Sequence, residues 1–226
     1  MSPPTRQFAR FWQHAMACRE CPTLAPWRKF DPAARGNPAA GVIILGEAPG
    51  RVSLDNQRPF SNPRNLIIRS AIARAIAPLT APPESFIYFT DAVKCWPSAP
   101  SGANRSPTAR EAATCARLHL RRELTLLRPR VIFAFGVRAA TALFERPLRL
   151  SENHARPLDH PAGYRVIPLM HPSTINIAGF HRVGLRSLDH YEAQLTELFR
   201  REFARLAVQR LLPLTTPTDT TRGADL

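Results

Sequence analysis

Apolar residues fall along this chain in two alternating rhythms. Phe8, Phe11, Trp12 and Ala15 recur at the three- and four-residue spacing of one helix face, which predicts an amphipathic helix over residues 5–17. Pro22 stops it, and Trp27 to Ala40, with Pro32, Gly36 and Pro38, reads as a loop. Gly41-Val42-Ile43-Ile44-Leu45 then forms a short apolar run of the kind that makes a strand covered on both faces. Phe86–Phe89 and Val131–Phe135 repeat the type, and Arg165–Leu169 is a weaker fourth. Helical patterns fill residues 64–77, 107–127, 137–144 and 185–208. Strands separated by helices predict an α/β protein, a single-domain α/β/α sandwich around a central, mostly parallel four-stranded sheet. The domain is expected to span residues 1–212. Pro213 to Leu226, rich in Thr, Pro and Asp with little to bury, reads as a disordered tail.

Each predicted strand runs into polar chemistry. The first leads to Gly46-Glu47-Ala48-Pro49-Gly50, the second to Asp91-Ala92-Val93-Lys94-Cys95, and the fourth to Met170-His171-Pro172-Ser173. Ligands of open parallel sheets bind at the carboxyl ends of the strands, so Glu47, Asp91 and His171 should converge on one crevice. Singly, each has a structural explanation: a loop cap, an Asx-turn, a satisfied core imidazole. Three such residues at three strand ends favour a site.

Charge and cysteine content narrow the choice of ligand. Of 226 residues 44% are hydrophobic, enough for a sizeable core. The net charge of +14 comes almost wholly from arginine, Lys29 and Lys94 being the only lysines. Such a surface suits a polyanion, because neutralised phosphates release counterions. A compositional bias would also scatter arginine in this way. No run of about eighteen apolar residues exists, so no membrane span is expected, and Met1 to Phe11 lacks the apolar core of a leader; a cytoplasmic, nucleoid-associated monomer is the expectation. The four cysteines fall as Cys18-x2-Cys21, Cys95 and Cys115. Thiols two residues apart close poorly on each other but readily reach one metal centre, so a metal site is favoured over disulfides, with zinc and iron–sulfur both open.

Taken together, Gly46-Glu47-Ala48-Pro49-Gly50, Arg58-Pro59-Phe60, Asp91-Ala92-Val93-Lys94-Cys95 and His171-Pro172-Ser173, in that order and beside those cysteines, resemble the iron–sulfur-containing family 4 of the uracil-DNA glycosylase superfamily. The resemblance covers about residues 10–205. It implies a [4Fe–4S] cluster on Cys18, Cys21, Cys95 and Cys115, and DNA, single- or double-stranded, as partner. A flipped base would be bound by Glu47, Ala48, Gly50, Phe60 and Asp91, with Phe60 stacking on it and bare backbone at Pro49 and Gly50 close to the ligand. His171 would donate a hydrogen bond to the base oxygen that gains charge as the glycosidic bond stretches. Pro49, Ser173, Ile175 and Arg182 would face DNA, with Ile175, Ile177 or Phe180 as a wedge in the space the base vacates.

Two departures from the family pattern bear on the chemistry. Ser53 stands where the family carries a glutamate that orients water, and serine alone is a poor general base, so Asp55 becomes the substitute candidate. Asp91 stands where the family has asparagine; an ionised aspartate only accepts, which predicts weaker reading of uracil and a welcome for a donor edge. The loop from Ser98 to Arg105 is longer than usual and, with its Gly and Pro, is expected to be pliable. No lysine in these motifs offers a Schiff base. The resulting expectation is a monofunctional DNA glycosylase of base-excision repair; the alternative is a non-catalytic iron–sulfur DNA-binding protein that keeps the fold.

Overall fold

In the computed structural model, residues 5–24, 30–77, 82–144, 146–173 and 179–206 are described. The expected tail, Pro213 to Leu226, and the wedge candidates Ile175 and Ile177 lie outside them. The sheet is built from β1 (Val42–Gly46), β2 (Tyr88–Asp91), β3 (Val131–Phe135), β4 (Leu158–Asp159) and β5 (Arg165–Leu169), in the order β2-β1-β3-β5-β4. All neighbours are parallel except β4 with β5. The sheet therefore has five strands, not the expected four. β4 is two residues long and half-exposed, too short to leave an alternation in the sequence. β1, β2 and β3 are buried along their whole length, which is what their unbroken apolar runs required.

The helices are α1 (Thr5–Ala17), α2 (Arg51–Asp55), α3 (Leu66–Ala75), α4 (Ala109–Cys115), α5 (Arg121–Leu127), α6 (Val137–Phe144), α7 (Leu150–Asn153) and α8 (Leu188–Leu206). A π-helical turn, Ala116–Leu120, joins α4 to α5. α3 packs on α8, while α1 packs on α5 and α4 on α6. The connection from β1 to β2 steps one way across the sheet and that from β2 to β3 the other. Right-handed crossovers then place their helices on opposite faces, giving an α/β/α sandwich. The step reverses beside β1, so the loops after β1 and β3 separate and leave a crevice there.

Within the core, α1 buries Phe11, Trp12 and Ala15, and Trp12 Nε1 donates to the Tyr88 hydroxyl at 3.3 Å. Phe133 of β3 meets Phe199 of α8 edge to face at 4.7 Å. Removing one such ring costs about 3–5 kcal/mol.

Candidate active site

The register of the sheet brings the first two motifs together. Gly46 and Asp91, the last residues of β1 and β2, are direct neighbours. A Cβ on Gly46 would lie 2.5 Å from Asp91 Oδ1 and 3.0 Å from Phe60 Cζ, so the glycine makes room for both side chains. Phe60 has φ 56, a left-handed backbone that a phenylalanine rarely adopts. Its ring is wedged between Phe89 and Phe135, with centroids at 5.9 and 6.0 Å. The Arg58-Pro59-Phe60 turn is held from α3, where Arg69 Nε donates to the Pro59 carbonyl at 2.8 Å and Arg69 also pairs with Glu84. Phe60 is thus both a core residue and a wall of the site.

One small pocket is lined by Gly46, Ala48, Pro49, Gly50, Ser53, Phe60, Asp91 and His171, together with Phe30, Pro59 and Asn65. It opens beside a groove of about 560 Å³ that shares Ala48, Pro49, Gly50, Asn65 and His171. The groove adds Glu47, Ser173, Asn62 and Asn104, and three arginines, Arg64, Arg105 and Arg138. The strand-end residues Glu47, Asp91 and His171 do converge, with Asp91 in the pocket, Glu47 in the groove and His171 in both.

Burial tunes all three. His171 is driven down to about 4 by desolvation, so its imidazole is neutral at neutral pH. Desolvation raises the Glu47 carboxyl above its usual value, opposed by the Arg138 amide, which donates to Oε1 at 2.9 Å. Gly136, at φ 103, leaves the space this carboxylate occupies; a Cβ there would lie 2.3 Å from Oε1. Desolvation also raises Asp91, against the pull of Arg35 and Lys94.

The two water-activating candidates fare differently. Ser53 is buried and lines the pocket, but its Oγ accepts from the Ser61 amide at 3.2 Å and so closes the loop. Asp55 lies on the solvent side of α2, pairs with Arg51 at 3.6 Å and does not line the pocket. Arg182 is exposed, and Phe180 is buried in the core against Tyr191, not free to act as a wedge. The Ser98–Arg105 loop is tied to its surroundings by hydrogen bonds and an ion pair. Asn104 Oδ1 accepts from the Arg51 amide at 3.0 Å and from Trp96 Nε1 at 2.8 Å, and Arg105 pairs with Glu111 at 2.7 Å. Arg35, Asn65 and Arg138 were not anticipated. Arg35 and Asn65 sit in turns without periodicity, and Arg138 acts through its backbone.

The four cysteines line one cavity with Leu24, Val93 and His119, and no disulfide joins any two of them. Among the described residues no three His, Cys, Asp or Glu side chains are grouped so as to hold a metal ion. Burial raises Cys21 and pushes the Cys115 thiol up to about 12, while the Lys94 amide donates to its sulfur at 3.3 Å. Lys94 also ties this cavity to the pocket. Its Nζ donates to Thr90 Oγ1 at 2.9 Å and to the Asp91 carbonyl at 2.6 Å, and pairs with the buried Glu123.

Residues 33–198 match the family model described as the uracil DNA glycosylase superfamily. The chain belongs to that superfamily. Among curated members it is 33% identical over 135 residues to a type-4 uracil-DNA glycosylase of Pyrobaculum aerophilum, covering 60% of this chain and 63% of the relative. It is 27% identical over 139 residues to the type-4 enzyme of Thermotoga maritima, 61% and 67% covered, and 31% identical over 129 residues to that of Archaeoglobus fulgidus, 57% and 59% covered. The chain thus spans about three fifths of the length of the Pyrobaculum relative.

Proposed function

We propose that this protein is a monofunctional DNA glycosylase that hydrolyses the N-glycosidic bond of a flipped, non-standard base, with a base preference shifted away from uracil. The single observation that carries this is the crevice itself: the Gly46–Gly50 loop, Phe60, Asp91 and His171 wall one pocket that opens on a groove bearing three arginines. The base would lie against Phe60 with its edge towards Asp91. His171, neutral at working pH, donates to the base oxygen as the bond breaks; such a donor is typically worth about 3 kcal/mol of barrier. Glu47 is the carboxylate that lines the groove beside His171, so the orientation of water falls to it, in place of Ser53 or Asp55. Its raised carboxyl is a better-matched base than an exposed one. Ser173, Arg64, Arg105 and Arg138 hold the strand's phosphates.

The donor set suits a [4Fe–4S] cluster, which takes four thiolates, and the four cysteines line one cavity. Cys18, Cys21, Cys95 and Cys115 would hold it. The cluster would supply a structural clamp between the amino-terminal turn, the segment after Asp91 and α4.

A specific observation favours a second reading, a DNA-binding protein without turnover: the pocket's free volume is about 20 Å³, room for one water, so its walls must part before a base enters. A panel of modified oligonucleotides, treated with alkali after incubation, separates the two. Strand breaks at one base type, lost in His171→Ala, support the glycosylase; binding without breaks supports the alternative.

A further inference from the structure

Arg35 belongs to none of the motifs above, yet among the described residues it is the largest fully buried side chain. It ends a short 3-10 turn, Pro32–Arg35. Gly36, at φ 87, lets that turn press against the chain before β2, where a Cβ would lie 2.3 Å from the Ile87 carbonyl oxygen. The guanidinium is sandwiched between Trp12 and Phe30, its carbon 4.5 and 4.9 Å from the two ring centres. Nη1 donates to the Phe89 carbonyl at 3.4 Å and stands 3.6 Å from Asp91 Oδ2. Nε and Nη2 are buried with no hydrogen-bond partner among the described residues.

A permanent cation in that setting needs a counter-charge, because an unpaired buried charge is costly. The carboxylate it faces is Asp91. The other charged or titratable groups acting on Asp91 are Lys94 and Glu123, which pair with each other, and His171 shares the pocket as a neutral ring. Asp91 presents Oδ2 to Arg35 and Oδ1 to the gap beside Gly46 and Phe60, which is the pocket wall.

We propose that Arg35 is a positioning residue that fixes Asp91 as an ionised, acceptor-only group, and so makes the pocket select bases with an amino donor at that edge over bases with a carbonyl there. The inference rests on the reading of the crevice as a base pocket. An ionised carboxylate offers no proton to a carbonyl oxygen, whereas an amino group satisfies it. Sites built around one hydrogen-bond pattern discriminate strongly against the mismatched analogue, because a buried polar group is then left unpaired. Without Arg35, burial would raise the Asp91 carboxyl further, towards the acid form, which donates as well as accepts.

The test uses a matched pair, 5-hydroxycytosine and 5-hydroxyuracil, which differ in the amino or oxo group at position 4 and, with it, in whether the adjacent N3 accepts or donates. Each is placed in the same oligonucleotide, both as a cleavable nucleotide and as its non-hydrolysable 2′-fluoroarabino form. Excision rates and binding affinities are then measured on the full chain. The wild type should favour the amino base by at least about tenfold, and Asp91→Asn should reverse the order. Arg35→Met should shift the ratio about tenfold towards that of Asp91→Asn, Arg35→Lys should retain the wild-type ratio, and Arg35→Met/Asp91→Asn should match Asp91→Asn alone. If Arg35→Met lowers both substrates equally and leaves their ratio unmoved, Arg35 is only structural and the proposal is overturned. A wild type indifferent to the pair, with Asp91→Asn without effect, overturns instead the base-reading role of Asp91, and shows it without any change at Arg35. Should Arg35→Met not fold, Arg35→Gln and the double variant carry the same comparison.

Discussion

At Gly46 a single added carbon reaches two functional side chains at once. Gly46→Ala puts a methyl 2.5 Å from Asp91 Oδ1 and 3.0 Å from Phe60 Cζ, and neither can retreat, since Asp91 faces Arg35 and Phe60 is packed on two further rings. Excision should fall by more than about a hundredfold in kcat/KM, out of proportion to any change in melting temperature, because misplacing a positioning group by ~1 Å costs that much. His171 yields a second prediction. The unfolded chain takes up this proton near 6.5, while the folded protein resists it until about 4. Stability should therefore be undiminished by His171 above 6.5 and be lost as pH falls through that interval, because the unfolded state binds more protons there. A histidine ring resonance that stays in its neutral position well below 6.5, absent in His171→Ala, would confirm it by NMR. Glu47, Asp91 and His171 were legible in the sequence because each ends or follows a strand that an apolar run marks. Arg35 was not, since a buried arginine in a turn looks like any surface arginine until its aromatic sandwich is seen.

Among the elements, the sheet and long helices were readable and the short pieces were not. β3, β5, α1 and α6 fall where the apolar pattern puts them, and β1 and β2 are displaced towards their loops by one and two residues. β4, α2 and α7 are too short to carry a period. The π-turn after Cys115 left no sequence signal either; it adjusts a helix at the cysteine cavity, a common place for such turns. β2 and α5 are joined by the buried network of Tyr88, Thr90, Lys94 and Glu123, in which Glu123 accepts from Tyr88 and Thr90 at 3.0 Å. Lys94→Met would leave Glu123 buried without its cation, at a cost of about 3–5 kcal/mol in urea unfolding. Lys94→Met/Glu123→Leu should recover most of that loss.

For the molecule as a whole, the net charge of +14 acquires meaning only where the groove gathers arginines. Replacing Arg64 by alanine should weaken binding to all DNA sequences alike and reduce the slope of log affinity against log salt by about one. On the proposed cluster, replacing Cys115 by serine should remove iron and acid-labile sulfide from the purified protein and lower its melting temperature, since the cluster would clamp three segments together. Among the described residues no helix is long and apolar enough to cross a membrane. The most direct measurement is alkaline cleavage of single- and double-stranded oligonucleotides, each carrying one uracil, deaminated or oxidised base, after incubation with wild type and His171→Ala. Breaks at one base type, reduced at least about a hundredfold by His171→Ala, are the predicted result. Tight binding with no breaks at any base, or equal cleavage by both proteins, would contradict it.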